Sequence, residues 1–297
     1  MFPNYVPKRD RLILLFVLLF SILLPLFAVP CFAQCALPDR INLVFWGQSN
    51  IVGQGPTSET PPAVPNASRI ELFANDYRFY LPATEPVDTP FPLPGGGYGQ
   101  VDGVSRDTAP NVGPARYVAD RLLEFASASS TVTIVMCAKG GLGANYWKPI
   151  PDGSTQINER VRALLWGSCL DRTLTVIALR GPLLAVITRI GEADANQATS
   201  VDADLWEERV DASISRLREF LGTPWLPLFY ARFEPNAPTP GYAFWSTVIA
   251  EQDALASAVN VPVQAARTPV GVHLTAADNA VWGRAVADAI LERAGCL

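Results

Sequence analysis

The chain predicts an α/β domain in which helices cover both faces of a mostly parallel central sheet, three layers in all. Three observations carry that prediction. Short apolar runs rich in β-branched and aromatic residues alternate with amphipathic stretches from residue 41 to residue 294. Most runs are near-continuous rather than alternating, the pattern of strands buried on both faces. The polar residues with chemical potential fall at the ends of these runs, where open parallel sheets gather their sites.

A leader stands before the first run. "KRDR" at 8–11 precedes an apolar stretch at 12–28, and "CFA" at 31–33 puts Ala33 at a signal-peptidase site. Residues 1–33 therefore read as a secretory signal peptide, and 34–297 as one exported domain, secreted or periplasmic. A retained anchor is the alternative. The stretch is interrupted by Pro25 and sits at the short end of the ~17–25 residues a span requires, so no stable membrane span is expected after cleavage.

The strands expected in order are "INLVFW" (41–46), "TVTIVMC" (131–137), "LLAVITR" (183–189) and "WLPLFYARF" (225–233). Helices are expected over 112–127, 156–166, 201–221, 241–259 and 275–294. In the third of these, Leu205, Val210, Ile214, Leu217 and Leu221 recur at helical spacing. Residues 82–111 break the alternation with a Pro- and Gly-rich loop, long enough to be functional or mobile and expected to border the site.

Leaving out Lys8, Arg9, Arg11 and Asp10 takes the 23 basic and 28 acidic residues to 20 and 27, a net charge of −7. Such a surface repels phosphate backbones, so nucleic acid is not an expected partner. Four cysteines remain beyond the leader, which allow three pairings. Cys137 lies inside an apolar run and reads as a free buried thiol, whereas Cys35 and Cys296 stand at chain ends, which often lie close together. No Cys-x-x-Cys or His-x-x-x-His spacing supports a zinc site. "NAS" at 66–68 offers a glycosylation acceptor at Asn66.

Ser49 follows the first strand at a Gly-rich turn, where a hydroxyl is either a helix cap or a nucleophile. A serine nucleophile needs a general base, and the chain contains one histidine, His273. His273 lies just before the last helix, whose N-cap candidate is Thr275. Gly140 and Gly141 follow the second strand and offer bare amides for an oxyanion hole. Glu192 and Asp194 follow the third, as catalytic carboxylates or as caps of the next helix.

These segments together resemble the SGNH-type hydrolases, in particular the sialate O-acetylesterase and acetylxylan-esterase group, carbohydrate esterase family six. The matching blocks are Gly47-Gln48-Ser49-Asn50-Ile51-Val52-Gly53, Gly113-Pro114, Lys139-Gly140-Gly141 with Trp147, Gly191-Glu192-Ala193-Asp194 and Val272-His273-Leu274-Thr275. The resemblance implies a flavodoxin-like α/β/α fold and an acetyl ester on a sugar as substrate, with no metal or organic cofactor. It implies Ser49 as nucleophile, His273 as general base, and Gly141 with the Ser49 amide as oxyanion hole.

Two positions depart from the family pattern. Val270 stands where an Asp usually precedes the His by three residues, and Ile190 where a Gln usually precedes the Gly-Glu. Losing the orienting acid costs roughly 10⁴-fold in the serine-protease case, and losing one oxyanion donor about 10²–10³-fold. Glu192 is the candidate to orient His273 in place of the missing Asp, with a purely structural acceptor role as the alternative. Gln48 and Asn50 are the side-chain candidates beside the oxyanion, and Trp147 the candidate stacking face for a sugar, with core packing as its alternative. Two further readings stay open: a glycan-binding relative with a degraded site, and an esterase of longer acyl chains.

Overall fold

The computed structural model describes Cys35 and residues 37–52, 61–73, 77, 79–80, 113–149, 156–236, 241–264 and 273–297. The leader, the loop at 82–111 and Val270 lie outside the described residues.

Among the described residues seven strands form one sheet: β1 (Arg40–Gly47), β2 (Ile70–Phe73), β3 (Phe79–Tyr80), β4 (Thr131–Ala138), β5 (Leu183–Arg189), β6 (Leu228–Arg232) and β7 (Asn260–Gln264). Their order is β3-β2-β4-β1-β5-β6-β7. Every pairing is parallel except β2 with β3. From Ile41 to Gly47 every residue of β1 is buried, as the unbroken apolar run requires. The strand sits between β4 and β5, where the chain reverses its direction of travel across the sheet. Such a switch point opens a crevice beyond the strands' carboxyl ends.

The helices are α1 (Ser49–Val52), α2 (Ala115–Leu123), α3 (Gln156–Arg180), α4 (Glu192–Ala195), α5 (Val201–Asp204), α6 (Trp206–Leu221), α7 (Trp245–Leu255) and α8 (Ala276–Arg293). Helix α2 packs along α8, and α6 packs on α7. The buried face of α6 carries Val210, Ile214 and Leu217, and Gly222 ends it in the left-handed conformation that suits a helix C-terminus. Thr275 caps α8 as expected, in a reciprocal capping box with Asp278: the Asp278 amide donates to Thr275 Oγ1 at 3.0 Å.

Several boundaries differ from the sequence expectation. The helix expected to end at 166 continues to Arg180 through Gly167, because one interior glycine costs only about 1 kcal/mol. The 201–221 stretch breaks at Leu205, whose backbone leaves the helical region, so α5 and α6 are separate. β2, β3 and β7 are additional. β7 carries Pro262, which an edge strand tolerates because its outer side needs no donor.

Cys35 and Cys296 form a disulfide that ties the two ends of the described chain together. The expectation of a free Cys137 is corrected: it is bonded to Cys169, fastening the carboxyl half of β4 to α3. A thiol in an apolar strand still pairs when a facing helix presents a second cysteine within reach. Asn66 turns its side chain inward, donating to Asp120 Oδ1 at 3.1 Å and accepting from Arg69 at 2.6 Å. No described helix is long and apolar enough to cross a membrane.

Candidate active site

The turn after β1 is set by close backbone approach. A Cβ at Gly47 would lie 2.4 Å from the Arg189 carbonyl oxygen and 2.8 Å from Ile51 Cγ1, so only glycine fits between β1 and β5 here. The Gln48 amide donates to that same carbonyl at 3.3 Å, and the Ile51 amide closes the turn on Gln48 O at 2.9 Å. Ser49 is thereby placed at the head of α1, at the carboxyl end of the central strand.

Beside it, Glu192 opens α4 immediately after β5 and is 2% exposed. Its carboxylate accepts three side-chain hydrogen bonds: from Gln48 Nε2, from Asn50 Nδ2 at 2.7 Å and from Arg189 Nε at 2.9 Å. Asn50 turns its other side-chain atom toward the histidine segment, where Oδ1 accepts from the Leu274 amide at 2.8 Å. One side chain next to Ser49 thus holds the backbone next to His273, across 224 residues of sequence.

His273 is half-buried, and burial pushes its imidazole below the usual histidine range. The Glu192 carboxylate works against that shift and the Arg189 guanidinium adds to it. No hydrogen bond joins His273 directly to Ser49 or to Glu192 among the described residues; the connection runs through Asn50 and Leu274.

The glycine segment starts where β4 ends. The Lys139 amide donates to Gly47 O at 3.0 Å, which brings Gly140 and Gly141 alongside the serine turn. Gly141 is exposed, with open space where a side chain would stand. Trp147 is corrected as a sugar-stacking surface: it is fully buried, packed edge-on against Trp46 at 6.1 Å, and presents no face to a ligand. Ile190 is 1% exposed in the core, and its side chain carries no donor. The side-chain nitrogens expected as substitutes, on Gln48 and Asn50, are directed at Glu192.

One participant was not singled out as a site residue from the sequence. Arg189 is buried with its guanidinium against Glu192, Phe233 and Trp282. Its signal was a cation closing an otherwise apolar strand. Asp194, the other carboxylate the sequence offered as catalytic or as a cap, instead accepts from the Ala144 amide, a partner that no local pattern announces. Among the described residues no group of three His, Cys, Asp or Glu side chains is placed to hold a metal ion.

The profile of the family SASA, described as carbohydrate esterase, sialic acid-specific acetylesterase, matches residues 41–292. Among solved structures, a protein from Arabidopsis thaliana is 23% identical with a TM-score of 0.65, over 86% of this chain and 99% of that one. NanS is 17% identical with a TM-score of 0.58, over 87% and 98%. A carbohydrate acetylesterase from Xanthomonas citri is 18% identical with a TM-score of 0.51, over 82% of this chain and 54% of that one, so this chain spans about half its length. No curated protein gives a significant match.

Proposed function

The chain belongs to the SASA family of carbohydrate esterases, and from that premise we propose that it is an exported serine esterase that removes acetyl groups from a carbohydrate through Ser49 and His273. The observation that carries this reading is the Asn50 bridge, which ties the backbone beside the only histidine to the turn bearing Ser49.

In this reaction Ser49 Oγ attacks the acetyl carbonyl carbon while His273 takes the hydroxyl proton. Negative charge builds on the carbonyl oxygen, where the backbone amides of Ser49 and Gly141 receive it. The C–O bond to the sugar then breaks, and His273 returns its proton to the leaving sugar oxygen. Water attacks the acetyl-enzyme with His273 again as base, releasing acetate and restoring Ser49. A histidine held below its ordinary pKa is neutral, and so ready as a base, at neutral pH.

Glu192 supports this chemistry by position. Three donors converge on it, two of them the residues flanking Ser49, and one of those two continues to the histidine segment. The carboxylate therefore orients His273 through Asn50 and the Leu274 backbone, the work done directly by an Asp where the family pattern has one. The reaction so written draws on no metal or organic cofactor. Export is supported by two disulfides, which persist in oxidising compartments.

A second reading is favoured by one specific observation. Ile190 leaves the oxyanion with backbone donors alone, as in a glycan-binding relative whose chemistry has decayed. Initial rates on 4-nitrophenyl acetate and on acetylated oligosaccharides, for the parent, Ser49→Ala and His273→Ala, separate the two. The esterase loses turnover by at least about 10³-fold in both variants. A protein with no Ser49-dependent turnover that binds the same oligosaccharides equally well as Ser49→Ala is the binder.

A further inference from the structure

The Gly-Glu-Ala-Asp turn carries a second carboxylate that the chemistry above does not use. Asp194 is 1% exposed, and its two oxygens accept from the Ala144 amide at 2.9 and 3.1 Å. Ala144 begins a 3-10 turn that runs to Trp147, three residues after the exposed Gly141. Gly143, next to it, has no room for a side chain: a Cβ there would lie 2.5 Å from Asp194 Oδ1. The far end of the turn is anchored separately, where Ser213 Oγ donates to the Trp147 carbonyl at 3.1 Å.

We propose that Asp194 is a positioning residue that fixes the Gly140-Gly141 segment against Ser49, so that one turn at the end of β5 clamps both halves of the site. Glu192 holds the serine turn and, through Asn50, the histidine segment. Asp194 holds the glycine segment through the Ala144 amide and the space left by Gly143. The kinetic part of this inference rests on the esterase reading, since only then does the Gly141 amide carry charge in the transition state.

The clamp is expected to respond to protonation. Burial raises the Asp194 carboxyl to about 7, opposed by the Ala144 hydrogen bond. The charged groups that bear on it are Asp202, which raises it further, and Arg209, which lowers it. A hydrogen bond to an ionised acceptor is about twice as strong as one to a neutral acceptor. Acidification through pH 7 therefore loosens the glycine segment, and the neutral Asp194→Asn side chain holds it loosened at every pH.

The test compares the parent with Asp194→Leu, Asp194→Asn, Gly143→Ala and Ser49→Ala by hydrogen exchange and kinetics. Exchange of the peptide covering 139–147 should quicken in Asp194→Leu and Gly143→Ala, with peptides from β1 and α8 unchanged. For acetyl ester hydrolysis, kcat should fall about 10- to 100-fold in Asp194→Leu with KM within roughly threefold, within the cost of a displaced oxyanion donor. Asp194→Asn should lose roughly threefold to tenfold at pH 8 and lack the step near pH 7 expected of the parent. Unchanged exchange at 139–147 in both Asp194→Leu and Gly143→Ala overturns the clamp, as does an Asp194→Asn pH profile that superimposes on the parent's. If Asp194→Leu does not fold, Gly143→Ala and Asp194→Asn decide. The exchange arm needs no turnover, so activity retained in Ser49→Ala overturns the esterase reading while exchange alone judges the clamp.

Discussion

The ion pair between Arg189 and Glu192 offers the sharpest quantitative test of how the site is held. The two groups meet at 2.9 Å with side chains 4% and 3% exposed. Removing one partner of such a pair strands the other as a buried charge and costs about 3–5 kcal/mol. Glu192→Gln strands Arg189, and Arg189→Met strands the carboxylate. The double variant removes both charges, and the amide that replaces the Glu192 carboxylate still offers an oxygen to one of Gln48 or Asn50. It should therefore be more stable than the sum of the singles predicts, with a coupling of about 2–3 kcal/mol. With a urea slope near ~3 kcal/mol/M for a domain of this size, each single lowers the midpoint by roughly 1–2 M. Urea unfolding of all four proteins measures this. The acid limb of kcat/KM gives an independent sign: Glu192 raises the His273 pKa and Arg189 lowers it. Arg189→Met should move the histidine limb to higher pH and Glu192→Gln to lower pH. Singles that add within about 0.5 kcal/mol, or limbs that move the same way, would refute the coupling.

Three further outcomes are expected. In the Asp194→Asn background, where only the histidine limb remains on the acid side, its midpoint should lie below pH 6.5, because burial disfavours the imidazolium; a pH–rate profile checks this. Gly47→Ala should cost at least ~3 kcal/mol, since positive-φ strain alone is worth about 1–3 kcal/mol and the new Cβ meets Arg189 O at 2.4 Å; thermal unfolding with an activity assay reads both effects. Cys169→Ser opens a bridge spanning 32 residues and should cost roughly 3–4 kcal/mol, seen as a lowered urea midpoint measured without reductant, which would open the Cys35–Cys296 bridge as well.

The legible parts of this molecule were those written in short windows. β1, β4, β5 and the α8 cap could be read from local pattern, because a doubly covered parallel strand needs a continuous apolar run and a capping box needs only Thr275 and Asp278. The short strands β2 and β3 escaped because four and two residues carry no period. In the site, Ser49, His273 and Glu192 stood out by residue type and place. What the residue types did not reveal was who bonds to whom. Asn50 reaches Leu274 and Asp194 reaches Ala144 only because the sheet brings distant loops to one edge. Trp147 shows the same limit in reverse: an aromatic beside a glycine loop suits sugar stacking equally well until its burial against Trp46 is known.

The measurement that bears most directly on Ser49 as nucleophile is covalent trapping with diethyl 4-nitrophenyl phosphate, followed by intact-mass and peptide mass spectrometry. A working serine esterase should take up one diethylphosphoryl group, located on Ser49, with turnover of acetyl ester lost in proportion to labelling and no label on Ser49→Ala. Labelling should slow at least about 10²-fold in His273→Ala, as removal of a general base implies. Full acetyl ester turnover after exposure with no adduct on Ser49, or the same adduct on Ser49→Ala, would contradict the serine mechanism.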